Sequence, residues 1–234
     1  MGKTSEKVIE KALSEGRLNL LEPEAKAICV DYGISTPDFA VAQSNEEALK
    51  SSQKFGYPIV LKIVSPDILH KTEAGGVIVG LNSQGEVEKG YKEVIDNAKR
   101  YKADVKISGV LVQKMAPKGT EVIVGGLKDP QFGQTLMFGL GGVFVEILKD
   151  VTFRIAPIDK TDARSMITEI KSYPILKGYR GQQPVDEEAI VDVLLASSKL
   201  LMDLPQINQM DLNPIMAYNK GLSVVDARIL LEKA

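Results

Sequence analysis

Ile59-Val60-Leu61-Lys62-Ile63-Val64 is followed, after Ser65, by Pro66-Asp67-Ile68-Leu69-His70-Lys71-Thr72-Glu73-Ala74-Gly75-Gly76. An apolar run holding one lysine thus passes into a turn that holds the chain's single histidine and a glycine pair. The run has the length and residue types of a buried strand. A lysine in mid-strand is expensive to bury without a counter-charge, so it either reaches solvent on a polar face or meets an anion. Backbone N–H groups of a glycine turn can cradle phosphate, and imidazole is one of the few side chains that accepts a phosphoryl group covalently. Lys62 with Gly75 and Gly76 reads as a phosphate clamp. His70 reads either as incidental or as a phosphate acceptor, and its surroundings have to decide.

Working outward, helical spacing appears at Val8, Ile9, Ala12 and Leu13, at Ala27, Ile28 and Val30 after Pro23, and at Val87, Tyr91, Val94, Ile95 and Ala98. Ser44 with Glu47 three residues on is a capping box, and Gly56 closes that helix. A longer helix is expected over 186–202, where Ile190, Val193, Leu194 and Leu201 line one face. Strands are expected at 38–42, 58–64, 76–81, 107–115, 120–127, 134–138, 143–148 and 151–156. A final hairpin is expected to pair 207–216 with 222–227 through Asn219-Lys220-Gly221. The pattern is α+β with many antiparallel connections. No G-x-G-x-x-G joins a strand to a helix and no Gly-Lys-Ser/Thr occurs, so a Rossmann or P-loop nucleotide site is not expected.

Three further stretches carry oxygen and nitrogen donors. Val110–Gly125 joins two strand-like runs through a break after Gln113-Lys114-Met115, where backbone groups can read an adenine edge; Glu121 can accept from ribose hydroxyls or be an ordinary solvated strand charge. In Met210-Asp211-Leu212-Asn213-Pro214 the alternation puts Asp211 and Asn213 on one face, and Asp226 follows on the partner run. Three such side chains suit Mg²⁺, which takes few protein oxygens plus phosphates and waters; the plainer reading is a polar strand face. Phe138-Gly139-Leu140-Gly141-Gly142-Val143-Phe144-Val145-Glu146 is glycine-rich without a lysine partner, and serves a phosphate, a partner loop or a tight turn.

Composition narrows the function classes. The 234 residues are 44% hydrophobic and 26% charged, with 29 basic against 31 acidic side chains, a net charge of −2. That balance gives no electrostatic case for nucleic acid or an anionic membrane. One cysteine, Cys29, allows no internal disulfide and reads as a small buried hydrophobe; with a single histidine, soft ligands are too few for a structural zinc. No apolar run approaches a membrane span, and the start of the chain lacks a signal-peptide stretch, so the expected compartment is the cytoplasm.

Strand lysine, glycine turn, Gly119-Thr120-Glu121 after a break, then Asp211-Leu212-Asn213-Pro214 and Asp226-Ala227-Arg228 resembles, in that order, the ATP-grasp fold. Over roughly residues 20–230 the chain is similar to the nucleotide-binding part of succinyl-CoA synthetase β chains, and more closely to β subunits of ADP-forming acetyl/acyl-CoA synthetases, which carry a histidine where His70 stands. The resemblance implies one ATP-grasp unit over 1–234, with a smaller lobe at 40–112 carrying Lys62 and His70. A larger lobe would comprise 1–39 and 113–234 and carry the metal-site hairpin. Each lobe would have an antiparallel-rich sheet with packed helices, and the nucleotide would lie between them.

The resemblance also implies roles. Lys62 matches the lysine on the nucleotide phosphates, Glu121 the ribose acid, and Lys114 and Met115 the adenine lining. Gln113 stands where many such hinges have Glu. Asn213 and Asp226 match Mg²⁺ ligands, and Asp211 an acid that orients a phosphohistidine. Gly141 and Gly142 match a glycine pair near the phosphates, while Arg154 has a counterpart of unassigned role. The implied reaction is acyl-CoA + ADP + phosphate ⇌ carboxylic acid + CoA + ATP, with ATP/ADP as substrate and phosphate relayed through His70. CoA would be bound by a separate α subunit with its own phosphohistidine, in an α2β2 heterotetramer. The alternatives are an ATP-grasp ligase that uses no phosphohistidine, or a regulatory subunit that binds nucleotide without turnover.

Overall fold

A computed structural model describes residues 3–142, 145, 147–179, 181 and 183–232. The chain divides into two compact units. The smaller comprises Leu21–Pro23 and Pro37–Ala116, and the larger Met1–Leu20, Glu24–Thr36 and Pro117–Ala234.

The smaller unit is built on four antiparallel strands in the order β1-β4-β2-β3: β1 (Phe39–Ala42), β2 (Ile59–Val64), β3 (Val77–Leu81) and β4 (Gly109–Lys114). Helices α3 (Asn45–Phe55) and α4 (Gln84–Tyr101) cover one face. Ile59, Leu61 and Ile63 from β2, and Val110 and Val112 from β4, pack there on Ala48, Val87, Tyr91, Val94 and Ala98. The cap of α3 differs in detail from a capping box. Ser44 Oγ accepts the Glu47 N–H at 3.2 Å, but the Glu47 carboxylate takes the N–H of Gln43, not of Ser44. Gly56 ends the helix at φ +75°, a conformation that side chains resist.

The larger unit holds β5 (Thr120–Asp129), β6 (Gly133–Leu140), β7 (Val151–Ile155), β8 (Ile207–Ala217), β9 (Leu222–Val224) and β10 (Ala227–Leu231). They run antiparallel in the order β10-β8-β5-β6-β7, with β9 also on β8. Helices α1 (Lys3–Ser14), α2 (Glu22–Asp31), α5 (Lys160–Glu169), α6 (Tyr173–Leu176) and α7 (Glu187–Asp203) accompany it. Ile9, Ile28, Met166, Ile190, Leu194 and Leu201 share a core with Val124, Phe138, Leu212 and Ile229 of the sheet. Burying so many branched and long apolar side chains, each worth about 1.5–3 kcal/mol, is what holds the unit together. Cys29 lies in this core, where burial pushes its thiol up to about 12, so it behaves as a hydrophobe.

Two expected elements differ. For the strand expected at 143–148, Val143, Phe144 and Glu146 lie outside the described residues, while Ile147 and Leu148 form a turn with their side chains exposed. The hairpin run 222–227 is not one strand. It breaks at Val225-Asp226, where the Val225 carbonyl accepts from the buried Lys26 ammonium at 2.8 Å. A helix not expected, α5, is started by a capping box between Asp159 and Asp162. Among the described residues, no helix is long and apolar enough to cross a membrane.

Candidate functional site

In the smaller unit, strand alternation puts Val60, Lys62 and Val64 on the face opposite the core residues Leu61 and Ile63. Register places Val60 beside Gln113 and Lys62 beside Leu111, so Lys62 and Gln113 share that face. Lys62 is not solvated there: only 5% of it is exposed, and its Nζ lies 2.6 Å from Glu22 Oε1. The second oxygen of the same carboxylate, Oε2, lies 2.6 Å from Lys71 Nζ. Two ammonium groups therefore share one buried carboxylate at the root of the histidine turn.

The turn is closed by its own backbone. Gly76 N–H donates to the Lys71 carbonyl at 2.7 Å, Ala74 N–H to the His70 carbonyl at 3.2 Å, and Ile63 N–H to the Gly76 carbonyl at 2.7 Å. The last bond fastens the turn to β2 one residue past Lys62. Both glycines are needed for steric reasons. Gly75 sits at φ +61° with its carbonyl accepting from Asn97 Nδ2, and a Cβ on Gly76 would lie 2.5 Å from Ile63 Cγ2. His70 stands at the exposed tip, its side chain 62% accessible and its Nδ1 4.0 Å from Glu73 Oε1.

The stretch after β4 corrects one expectation. Two of its N–H groups are engaged within the unit: Lys114 N–H donates to the Asp38 carbonyl at 2.9 Å, and Met115 N–H to the Pro58 carbonyl at 3.0 Å. The Lys114 ammonium is held too, by the Gly56 and Tyr57 carbonyls at 2.8 and 2.6 Å. Asp38 and the 56–58 turn thus take up these donors.

In the larger unit, β8 carries Asp211 and Asn213 on the face opposite Met210 and Leu212, which are in the core. Asn213 N–H donates to the Asp226 carbonyl at 3.2 Å, and Val225 N–H to the Pro214 carbonyl at 2.9 Å. Those bonds hold the 225–226 break against β8 and bring Asp226 close to Asp211. The pairing has an electrostatic signature. Burial, then the nearby Asp226 charge, raises the Asp211 carboxyl above its ordinary value, and Arg228 only partly offsets this. Two hard carboxylates and an amide oxygen on one small patch, with repulsion that a cation would relieve, fit Mg²⁺ completed by phosphate and water. Among the described residues, no three of His, Cys, Asp and Glu gather to make a closed metal cage.

Glu121 is exposed on β5, and its carbonyl accepts the Gly141 N–H at 2.8 Å. A Cβ at Gly141 would come within 3.0 Å of Glu121 Cβ, so glycine there lets the β6 end pass against the acid. Arg154 bonds Glu169 at 2.5 Å and the Phe153 carbonyl at 2.9 Å, which makes it a clamp between β7 and α5. An open cavity of roughly 390 Å³ at the head of β5, lined by Lys118, Thr120, Tyr218 and Asn219 among others, holds none of the expected site residues.

An oxygen-donor patch on a β8 hairpin, a strand lysine and a glycine turn, on two α+β units, define a nucleotide-handling protein of the ATP-grasp class. The match to the ATP-grasp domain family covers residues 11–231. The β subunit of ADP-forming acetate–CoA ligase I of Pyrococcus furiosus is 52% identical over 96% of each chain. The dinucleotide-forming acetyl-coenzyme A synthetase 1 of Candidatus Korarchaeum cryptofilum, solved with coenzyme A, Ca-AMPCP and HgCl+, superposes with a TM-score of 0.95. It is 51% identical, over 97% of this chain and 100% of that one. The same enzyme has been solved with coenzyme A and Mg-AMPPCP, its phosphohistidine segment pointing towards the nucleotide-binding site; that chain has a TM-score of 0.87 at 49% identity, with 97% and 100% covered. This chain belongs to the ATP-grasp family, among the β subunits of ADP-forming acetate–CoA ligases.

Sequence reasoning passed over Glu22, Lys71 and Asn97. Glu22 lies 40 positions before Lys62, and no local spacing rule joins the two. Lys71 had one signal, its place beside His70.

Proposed function

We propose that this chain works as the phosphoryl-transferring half of an ADP-forming acyl-CoA synthetase, with His70 as the covalent carrier between an acyl phosphate made elsewhere and ADP. The observation that carries this is the exposed imidazole of His70 on a turn fixed by Gly75, Gly76 and a two-lysine cluster. In-line phosphoryl transfer needs reacting atoms within ~3–3.5 Å, so two separated sites require a carrier. In the direction of ATP hydrolysis, a lone pair on an imidazole nitrogen attacks the γ-phosphorus. The N–P bond forms as the P–O bond to ADP breaks, and the other ring nitrogen keeps its proton. Transfer to ADP is the reverse.

Lys62 contacts the nucleotide phosphates and Glu121 accepts from the ribose hydroxyls. Gln113, Lys114 and Met115 border the base. Asp211 orients the imidazole of a phosphohistidine. Asn213 and Asp226 hold Mg²⁺, which when bound offsets charge on the phosphate oxygens. A CoA-binding α partner with its own phosphohistidine is supported by the phosphohistidine segment and coenzyme A of the Korarchaeum enzyme, and we take the assembly to be α2β2. Incubation of the chain with Mg-ATP should leave base-stable, acid-labile phosphate on residue 70, absent in His70→Asn. A wild-type chain that takes no label would contradict the relay and leave an ATP-grasp ligase without a phosphohistidine.

A further inference from the structure

The histidine turn is tied to a helix as well as to itself. Inside it, the Ala74, Gly75 and Gly76 N–H groups donate to the His70, Thr72 and Lys71 carbonyls, and the Gly76 carbonyl accepts from Ile63 N–H of β2. The Gly75 carbonyl instead meets α4, where Asn97 Nδ2 donates to it at 2.8 Å. The approach is close: a Cβ on Gly75 would come within 2.9 Å of that nitrogen. The helix is itself seated on the sheet, since Val94 and Ala98, on either side of Asn97, share a core with Leu61 and Ile63.

An asparagine amide has a donor end and an acceptor end, and only the donor end can serve a carbonyl. Arg100, an exposed side chain one turn further along α4, decides which end faces the glycine. Its Nη2 donates to Asn97 Oδ1 at 2.6 Å, and its Nε to the Asp96 carbonyl at 3.4 Å. A guanidinium carries donors only, so it takes the amide oxygen and leaves the amide NH2 for Gly75. Reversed, the amide would set oxygen against oxygen on one side and donor against donor on the other. A polar relay thus runs from the surface of α4, through Asn97, to the turn that carries His70.

We propose that Asn97, oriented by Arg100, is a positioning residue for phosphoryl transfer at His70. It acts through the Gly75 carbonyl and holds the turn so that the imidazole meets phosphorus in line, where a misplacement of about 1 Å can cost ~100-fold in rate. This inference rests on the reading of His70 as carrier.

In the full chain, Asn97→Ala removes the donor. The initial rate of label transfer from Mg-ATP to residue 70 should fall ~10-fold or more. Calorimetric affinity for Mg-ADP should stay within about 2-fold, since the bond places the turn and not the nucleotide. Arg100→Glu puts an acceptor where the guanidinium stood and draws the Asn97 NH2 away from Gly75. Labelling should slow by ~3–10-fold, and the same substitution should add nothing in the Asn97→Ala background. A charge change felt by the nucleotide from a distance would slow both backgrounds alike. Asn97→Ala labelled at the wild-type rate, Mg-ADP affinity falling in step with the rate, or equal slowing by Arg100→Glu in both backgrounds overturns the proposal. Should Asn97→Ala fail to fold, Arg100→Glu labelled at the wild-type rate overturns it. A wild-type chain that takes no label would instead remove the carrier reading, and the positioning role with it.

Discussion

Asp211 is the side chain at which electrostatics and the proposed role pull apart. Burial and Asp226 raise its carboxyl, so the folded chain disfavours the ionised form. Its contribution is therefore destabilising above that raised value and is relieved as pH falls through it. Without metal or nucleotide, Asp211→Asn should stabilise the chain by roughly 1 kcal/mol, about 2–4 °C in Tm for a chain of this size, and the gain should vanish at acid pH. A denaturation series across pH checks this, and an unchanged or lowered Tm near neutrality would mean the repulsion is compensated. The same substitution should lower turnover. On the role proposed for Asp211, function would be set against stability at this residue, as at many built sites. Asp226→Ala reads the metal assignment separately, by a loss of Mg-nucleotide affinity of about 10-fold or more that added Mg²⁺ partly restores.

At the scale of elements, β2 and the turn that follows it were legible in the sequence in outline and opaque in detail. The apolar run gave the strand, and the glycine pair gave the turn. That Lys62 is buried on a carboxylate, not solvated, depends on Glu22, which tertiary folding brings from 40 residues away. The α5 signal was present, since Asp159 and Asp162 precede Ala163, Met166 and Ile167 at helical spacing, but the surrounding strand-rich stretch masked it. The break at Val225-Asp226 could not be read, because Lys26, whose ammonium holds the Val225 carbonyl, lies 199 positions away in sequence. Steric need makes the turn testable. Gly76→Ala puts a Cβ into Ile63 Cγ2 and should cost about 1–3 kcal/mol while slowing the labelling of His70. Gly85→Ala, with open space around its Cβ in the first turn of α4, should be neutral or stabilising by up to ~1 kcal/mol. Equal effects of the two on thermal denaturation would refute the packing argument.

For the whole molecule, the order of short motifs from Lys62 to Arg228 carried the family, since no single one is specific. Composition only narrowed the expectations: a net charge of −2 and one cysteine give no case for a nucleic-acid partner or an internal disulfide. What the order of motifs could not convey is which side chains meet: Lys62 and Lys71 on Glu22 in one unit, and Asp211 near Asp226 in the other. The central claim is that His70 carries the phosphoryl group. The most direct measurement is ATP formation from acyl-CoA, ADP and phosphate by this chain reconstituted with a CoA-binding α partner, wild type against His70→Asn. The account predicts a loss of ~10³-fold or more in kcat with Mg-ADP binding retained; turnover near wild type in His70→Asn would contradict it.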